Sequence, residues 1–492
     1  DLFVDPGPSI HRFKLTRCHR FKLTCISPWW IGQASISAPP RTPVTQRAPK
    51  EMTGCAGGIM ALSVILPVYN AMPWLPLAVR DMLKQDLGGV SLELICADDA
   101  SRDGSMGFLE ELAALLGARA SCEDCLLPGQ EEAHAAKRQR LDAGEEGAAG
   151  APSTNPALRQ ALRAAETQDH PSFQEADEPE ELKNLRANPV TVADVAAACR
   201  PEHHLRVLSW ADGVNRGQGA SMTLCLSRAT APLLAQMESD DERASPDALR
   251  KMMGALADHP DWDGVSCRTT LIGWPRPGME RYVAWQNSLV TPEEMAAGRF
   301  IEIPALHQTA MFRTAAVRKV TGGRYRDGPV ERREGEEAEP GDALDVPVDM
   351  HWWLAFFHAG LKCGKVKEAL FGWRQHPRQH TRTHGRLSIE ALRLIKVHFL
   401  LRDGAPAHRA HVQVWSVGKT VSDWETDLNA HVPPPLSVTQ VVWKPGQPRP
   451  AMPALEAGGR VVRLFAFGQE KARNRVRQEI KDWNHANDLF VG

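Results

Sequence analysis

Two apolar runs about thirty residues apart set the pattern of this chain. The first holds Leu62, Val64, Ile65, Leu66 and Val68; the second holds Leu92, Leu94, Ile95, Cys96 and Ala97. Each is short, rich in strand-forming residues and closed by a polar or turn-forming end, which predicts a buried strand. Between them, over Met72 to Gln85, Trp74, Leu75, Val79, Met82 and Leu83 recur at helical spacing. Strand, helix, strand at this spacing predicts a βαβ unit and a parallel sheet. In open parallel sheets ligands bind beyond the carboxyl ends of the strands. Pro67, Val68, Tyr69 and Asn70 stand at the first such end, Asp98 and Asp99 at the second. These residues locate a site and point to a nucleotide.

A third apolar run, Arg206 to Trp210, opens a stretch of strand and helix signals that extends to about Leu401, interrupted by an acidic loop over Glu331–Asp342. After Gly404 and Pro406, His411–Val417 and Arg460–Phe467 read as two further strands, separated by a Pro-rich stretch over 433–453. Two segments look foreign to this pattern. Residues 1–59 contain His11–Thr16 repeated as His19–Thr24, then a Pro/Ser/Thr-rich run. They are expected to be disordered or non-native, with Met52 and Met60 as candidate starts. Residues 122–204 turn to Ala, Glu, Gly, Gln and Pro, which predicts a low-complexity, mostly disordered insertion. Helices are expected within it over Pro156–Thr167 and near Val190–Cys199. The expected domains are therefore 60–402, carrying the insertion, and a small α/β region over 408–492.

Composition narrows the function classes. With 43% apolar and 24% charged residues over 492 positions, the chain is ordinary globular material. A net charge of −2 leaves no nucleic-acid footprint. No apolar run reaches the roughly 18 residues a spanning helix needs, so no transmembrane segment is expected. Ten scattered cysteines argue for reduced thiols and a cytoplasmic setting rather than a disulfide framework. Cys122 and Cys125 form one CxxC with no second ligand pair at zinc spacing, so they read as plain thiols. Ala136–Asp142 resembles a short nuclear-import signal, but a solvated charge cluster is the favoured reading.

The quoted motifs carry a resemblance. Pro67–Asn70, followed by Asp98, Asp99, Ser101, Gly104 and Ser105, resembles the opening of family 2 glycosyltransferases, which have the GT-A fold. In that family the first strand end and the paired aspartates cradle the uridine of a nucleotide sugar. Arg216-Gly217-Gln218-Gly219-Ala220 resembles the family's glycine-rich turn, and Leu233–Asp241 its strand ending in a metal-binding Asp-x-Asp. The resemblance implies a Rossmann-like α/β domain that moves a sugar from a UDP-sugar to a hydroxyl acceptor, a glycan in many relatives. It implies Asp99 as the carboxylate that reads the base. Glu280-Arg281-Tyr282, Trp285–Leu289 and Val414–Lys419 further resemble the β-1,3-N-acetylglucosaminyltransferase-like protein 1 branch. That branch implies UDP-N-acetylglucosamine as donor.

Within this frame the residues have separate chemical readings. A departing diphosphate needs a hard cation such as Mg²⁺ or Mn²⁺, and one or two carboxylates suffice to hold it. Glu238 and Asp240 alternate on an extended segment and face one side. The resemblance makes Asp240 the direct ligand, while Glu238 stands where the family has Asp. The competing reading is an acidic helix start before Ser245 and Pro246. Asp349 occupies the position of the family's general base, which takes the acceptor proton in an inverting transfer; the Glu that precedes it in relatives is Val348 here. A plain helix cap is the alternative for Asp349. Trp352 or Trp353 could stack on a sugar or pack in the core. Arg374 and His376 resemble the family's closing segment, which faces the diphosphate; His376 could also reach the metal. Gly418-Lys419-Thr420 copies the end of a phosphate-binding loop, but Gln413 stands where its first Gly is required. The C-terminal region is therefore expected to be a structural or partner-binding appendage. The rival to an enzyme is a catalytically weak relative that binds UDP-sugar as a scaffold, suggested by Glu238, Val348 and the insertion.

Overall fold

A computed structural model describes residues 60–125, 180–273, 277–327, 346–376, 379, 388–402, 410–431, 437–449, 460–484 and 488–492. The N-terminal extension, the expected helix over Pro156–Thr167, the Ala136–Asp142 cluster and the acidic loop over 331–342 lie outside these residues. All described residues fall in one compact unit, Ala56–Gly492.

The strands, in chain order, are β1 (Met60–Val68), β2 (Ser91–Asp98), β3 (Ala120–Cys125), β4 (His204–Trp210), β5 (Leu233–Gln236), β6 (Glu242–Arg243), β7 (Gly264–Gly273), β8 (Ala310–Arg313), β9 (Cys363–Gln375), β10 (Ala410–Ser416), β11 (Ser437–Val442), β12 (Arg460–Ala466) and β13 (Asp488–Val491). The first nine form one sheet in the order β3-β4-β2-β1-β5-β8-β7-β9-β6. The pairs from β3 to β5, and β7 with β9, are parallel; β8 and β6 pair antiparallel with their neighbours. The α/β, mostly parallel architecture predicted from the apolar runs is therefore the one observed. The helix Leu75–Leu83 joins β1 to β2 and buries Leu75, Val79, Met82 and Leu83, the positions its spacing selects.

The central strands are buried on both faces, as parallel strands under helices must be. Every residue of β2 is buried, and seven of the nine in β1. Glu93 is the polar exception inside β2. It accepts hydrogen bonds from the Ser63 hydroxyl at 2.6 Å and from the Thr230 amide and hydroxyl at 2.7 Å each, so its burial is compensated.

The span expected to be an insertion carries folded structure at both ends. Cys122 and Cys125 lie on β3, the edge strand of the sheet. The chain is described again from the helix Glu180–Ala187. It continues through the helix Val192–Ala198, which a Thr191/Asp194 capping box starts. Few large apolar residues mark this stretch, yet Val195 is fully buried against the core, and Arg200 donates its amide to the Leu83 carbonyl at 3.0 Å. The helix expected near Val190–Cys199 is thus present, and Val195 docks it on the core.

The four strands β10 to β13 form a second, all-parallel sheet in the order β11-β10-β12-β13. The helix Lys419–His431 follows β10, and Glu470–Glu479 follows β12. At the head of the first helix, Lys419 is 86% exposed and folds back onto Asp423 at 2.7 Å. Among the described residues, no helix is long and apolar enough to cross a membrane.

Val195→Ala tests the docking of the segment after the insertion. Removing a fully buried side chain should cost about 2 kcal/mol of unfolding free energy, read from denaturant titration. A change within experimental error would mean that the segment does not pack on the core.

Candidate active site

The loops after β1 and β2 are built for each other. Asn70 and Ala100 adopt left-handed backbone conformations, φ +47° and +64°, strained for residues with a side chain. The strain is held by hydrogen bonds across the two loops. The Asn70 amide donates to Ser101 Oγ at 2.9 Å, the Ala71 amide to Ser105 Oγ at 3.0 Å and the Met72 amide to Asp103 Oδ2 at 2.8 Å. The Arg102 amide returns one to Asn70 Oδ1 at 2.8 Å. Much of the motif following Asp99 thus serves the backbone of the first loop.

The paired aspartates divide their work. Both are 3% exposed. Asp99 Oδ1 accepts from Trp210 Nε1 at 3.0 Å and the Arg216 amide at 2.7 Å; its Oδ2 accepts from the Gly217 amide at 2.7 Å. Burial pushes its carboxyl up and these three donors pull it back. Gly217 meets the carboxylate at φ +89°, a conformation that favours glycine. Asp99 therefore fastens the glycine-rich turn to β2, and its lone pairs face protein donors. Asp98 Oδ2 accepts from the Ser101 amide at 3.0 Å, while Oδ1 is buried with no hydrogen-bond partner among the described residues. The expectation that Asp99 reads the base meets a carboxylate already occupied; the open acceptor belongs to Asp98. Pro67 and Val68 are buried at the end of β1, and the ring of Tyr69 is 45% exposed beside them.

Parallel pairing of β1 with β5 brings the second acidic group alongside. Glu238 Oε1 accepts from Gln218 Nε2 at 2.9 Å and from Gln236 Nε2. Its residue surface is partly open, but the carboxyl lies deep among protein atoms, and that depth governs its ionisation. Burial, then repulsion from Asp240, pushes it up to about 8. Asp240 Oδ2 lies 2.9 Å from His376 Nε2. Asp241 turns inward to the Arg374 amide at 2.8 Å and Gln308 Nε2 at 3.2 Å, and burial and Asp240 push its carboxyl well up.

Arg374 reaches this loop but is 3% exposed and engaged. Its Nε donates to the Asp240 carbonyl at 2.8 Å and Nη2 to Glu242 at 3.1 Å; Nη1 pairs with Glu181, and the guanidinium covers Trp74 at 4.6 Å. In this arrangement it orders the loop after β5. Asp349 lies in the first turn of the helix Val348–His358. Burial pushes it up to about 6, opposed by backbone hydrogen bonds including the Met350 amide at 3.1 Å. It lies near enough to Glu238 to raise that group further. Trp352 and Trp353, next on the helix, are 2% and 0% exposed and pack around Phe312, so both belong to the core rather than to a sugar platform.

The donor set suits a hard cation. Burial, and after it the charge of Asp240, raises the affinity of both Glu238 and Asp241 for protons, so negative charge is gathered here. All are oxygen donors, as Mg²⁺ and Mn²⁺ prefer. Among the described residues no group of three or more His, Cys, Asp or Glu side chains has the geometry to hold an ion by itself. Diphosphate oxygens would have to complete the coordination. Gln218, Gln236 and Trp210 lay within quoted motifs but were given no role of their own in the sequence, and Glu302 lay in none.

Residues 63–122 match the family model described as Glycosyl transferase family 2. The match spans most of β1, all of β2 and the start of β3. No curated protein matches the chain. Among solved structures, S. aureus TarS 1-349 in complex with UDP is 13% identical at a TM-score of 0.38, covering 70% of this chain and 66% of that one. The same protein in complex with UDP-GlcNAc is also 13% identical at 0.38, covering 70% and 67%. The mannosyltransferase PcManGT from Pyrobaculum calidifontis, in complex with GDP-Man and Mn2+, is 16% identical at 0.33, covering 70% and 63%. The chain thus spans about two thirds of the length of these proteins, or slightly less.

Asp99→Asn tests the clamp on the glycine-rich turn. One acceptor oxygen becomes an NH2 group facing backbone donors, which should cost about 2–3 kcal/mol of stability. It should also raise protease sensitivity around Trp210–Gly217. Unchanged stability and digestion would remove the clamp from the account.

Proposed function

We propose that this protein is an inverting, metal-dependent glycosyltransferase that moves a sugar from a UDP-sugar to a hydroxyl acceptor. One observation carries the reading: Asp98 and Asp240 follow from parallel strands at one end of the sheet, Asp349 lies close to Glu238 there, and burial pushes Asp349 up to about 6. A base that is ionised at neutral pH yet still basic enough to take a proton is what acceptor activation needs.

The roles follow from position. Asp98 Oδ1, buried and without a hydrogen-bond partner among the described residues, would accept from the N3–H donor of uracil once uncovered, while the exposed Tyr69 offers a ring face nearby. Asp240, with His376 and Glu238 close by, would hold a Mn²⁺ or Mg²⁺ ion. When bound, the ion supplies positive charge against the departing diphosphate. Asp349 takes the proton of the acceptor hydroxyl on its carboxylate oxygen as that hydroxyl oxygen bonds to the anomeric carbon. The bond from that carbon to the diphosphate oxygen breaks on the opposite face, and UDP leaves. N-acetylglucosamine as the transferred sugar rests on the resemblance of the Glu280–Tyr282 and Trp285–Leu289 segments to one branch of the family, and a glycan acceptor rests on the family at large.

A second reading, a UDP-sugar-binding protein without turnover, draws on Glu238. Two amides already occupy one of its oxygens, and Val348 removes the carboxylate that precedes the base in relatives.

The deciding measurement is UDP release from a panel of UDP-sugars, with Mn²⁺ or Mg²⁺ and with chelator, alongside Asp240→Ala. Cation-dependent release from one donor, lost in the variant, is expected. UDP binding that needs Asp240 but never leads to release would favour the second reading. Asp349→Asn separates the steps further. It should cut turnover by about a thousandfold while UDP binding persists, and wild-type turnover should fall as pH drops below about 6. The stability sign is opposite. A carboxyl with a raised folded pKa stabilises the fold below its unfolded value, and that contribution is lost as pH rises through about 6. Asp349→Asn should therefore raise Tm at neutral pH and lose that gain near pH 4. A gain that grows toward low pH would contradict the burial of this carboxyl.

A further inference from the structure

The C-terminal sheet shares its core with the wall beside Asp349. Trp285, on the helix Pro277–Ser288, and Ile301 are buried in one cluster with Trp415, Trp443, Phe465 and Phe490 of the C-terminal strands and their flanks. The segment Phe300–Pro304 that contains Ile301 is pinned almost carbonyl by carbonyl. The Phe300 carbonyl accepts from the Gly492 amide at 3.0 Å, Ile301 from Lys396 Nζ at 3.0 Å, Ile303 from Gln286 Nε2 at 3.0 Å and Pro304 from Lys365 Nζ at 3.0 Å. Lys396 also donates to the Gly492 carbonyl at 2.9 Å, bridging the segment to the end of β13. A Cβ on Gly492 would stand 2.4 Å from the Ile301 oxygen, so the two backbones are in close apposition.

Both lysines are buried, at 4% and 2% exposed, and burial lowers their affinity for protons. An ammonium taken out of water is costly unless fully hydrogen-bonded. Here the compensation is the positioning of one loop. The loop carries Glu302, whose Oε1 accepts from its neighbouring amide of Ile303 at 2.9 Å. The Glu302 charge contributes to raising both Asp349 and Tyr282. Lys396 sits on the helix Ile389–Arg402. There Phe399 packs edge-on against His351 of the Asp349 helix at 5.7 Å, and Arg393 pairs with Asp427 of the helix after β10.

We infer that the C-terminal α/β unit is a brace for the Asp349 side of the site: through Gly492 and Lys396, whose helix packs on the Asp349 helix at His351, it positions the Phe300–Pro304 segment, Glu302 included. The inference rests on the proposed transferase reading for its effect on turnover, but not for the brace itself. Lys396, Gly492 and Glu302 are positioning residues.

The test uses the full chain with Lys396→Met, Gly492→Ala and Glu302→Gln. Three readouts are taken: UDP binding with Mn²⁺, UDP release from the donor as a function of pH, and amide hydrogen exchange at Phe300–Pro304. In the first two variants exchange at Ile301 and Glu302 should rise about tenfold. Turnover should fall about tenfold or more, as small displacements near a reacting centre do, with UDP affinity changed less than about twofold. The groups facing Asp349 are Glu302, Glu238 and Tyr282. Removing the Glu302 charge should lower the Asp349 pKa, so the acid limb of turnover moves to lower pH in Glu302→Gln. Unchanged exchange in folded Lys396→Met and Gly492→Ala overturns the brace whatever the turnover. Loss of UDP binding in step with turnover overturns it too, since the unit would then only stabilise the whole domain. If neither variant folds, Lys396→Gln is measured in the same way: unchanged exchange at Ile301 and Glu302 overturns the inference, and raised exchange sustains it. A wild type that releases no UDP from any donor defeats the transferase reading alone, and hydrogen exchange then judges the brace.

Discussion

The parallel register of β2, β1 and β5 is the constraint on which the site depends. Val68 pairs with Asp98 and Ile65 with Gln236, so the strands end together and their acidic termini emerge on one side of the sheet. Side-chain direction alternates along a strand, and a slip of one residue would turn Asp98 to the opposite face of the sheet and carry Glu238 and Asp240 together to the other side. The register is itself held by buried polar contacts, notably Glu93 gathering Ser63 and Thr230 from neighbouring segments. The strained turns at Asn70 and Ala100 persist because each is hydrogen-bonded to the other's loop.

Electrostatics then separates residues of the same chemical type. Four carboxylates near the strand ends have four different fates. Asp99 is satisfied by three N–H donors and acts as a fastener; Asp241 is drawn inward by the Arg374 amide. Asp240 meets His376, and Glu238 is gripped by two glutamines. Across the cleft Asp349 is desolvated enough to sit near pH 6. Burial and donor count, rather than residue identity, distinguish fasteners from candidates for chemistry.

The two sheets are one working body in this view. In the C-terminal unit the phosphate-loop signature is incomplete, and Lys419 turns back to Asp423. Its aromatic core instead encloses Trp285 and Ile301, residues of the larger domain. A small parallel sheet that could not bury its aromatic residues alone gains a partner, and the acceptor-side loop gains a rigid backing.

The sequence alone determined the βαβ start, the mostly parallel sheet and the strand ends that bear the acidic residues, because these follow from local periodicity and from residues adjacent in the chain. It also marked Asp98, Asp99, Asp240 and Asp349. Only the tertiary structure decided which of them has free lone pairs, because Trp210 and Gly217 reach Asp99 from more than a hundred residues away. The same holds for Arg374, whose guanidinium is taken up by distant carboxylates and Trp74, and for Trp352 and Trp353, which the packing around Phe312 claims for the core. The helix at Val195 was legible in the sequence, but its docking on the core and the bracing role of Lys396 were not. A single buried methyl cluster or ammonium gains its meaning from the surfaces and carbonyls that folding brings to it, and those contacts are not encoded in any local pattern.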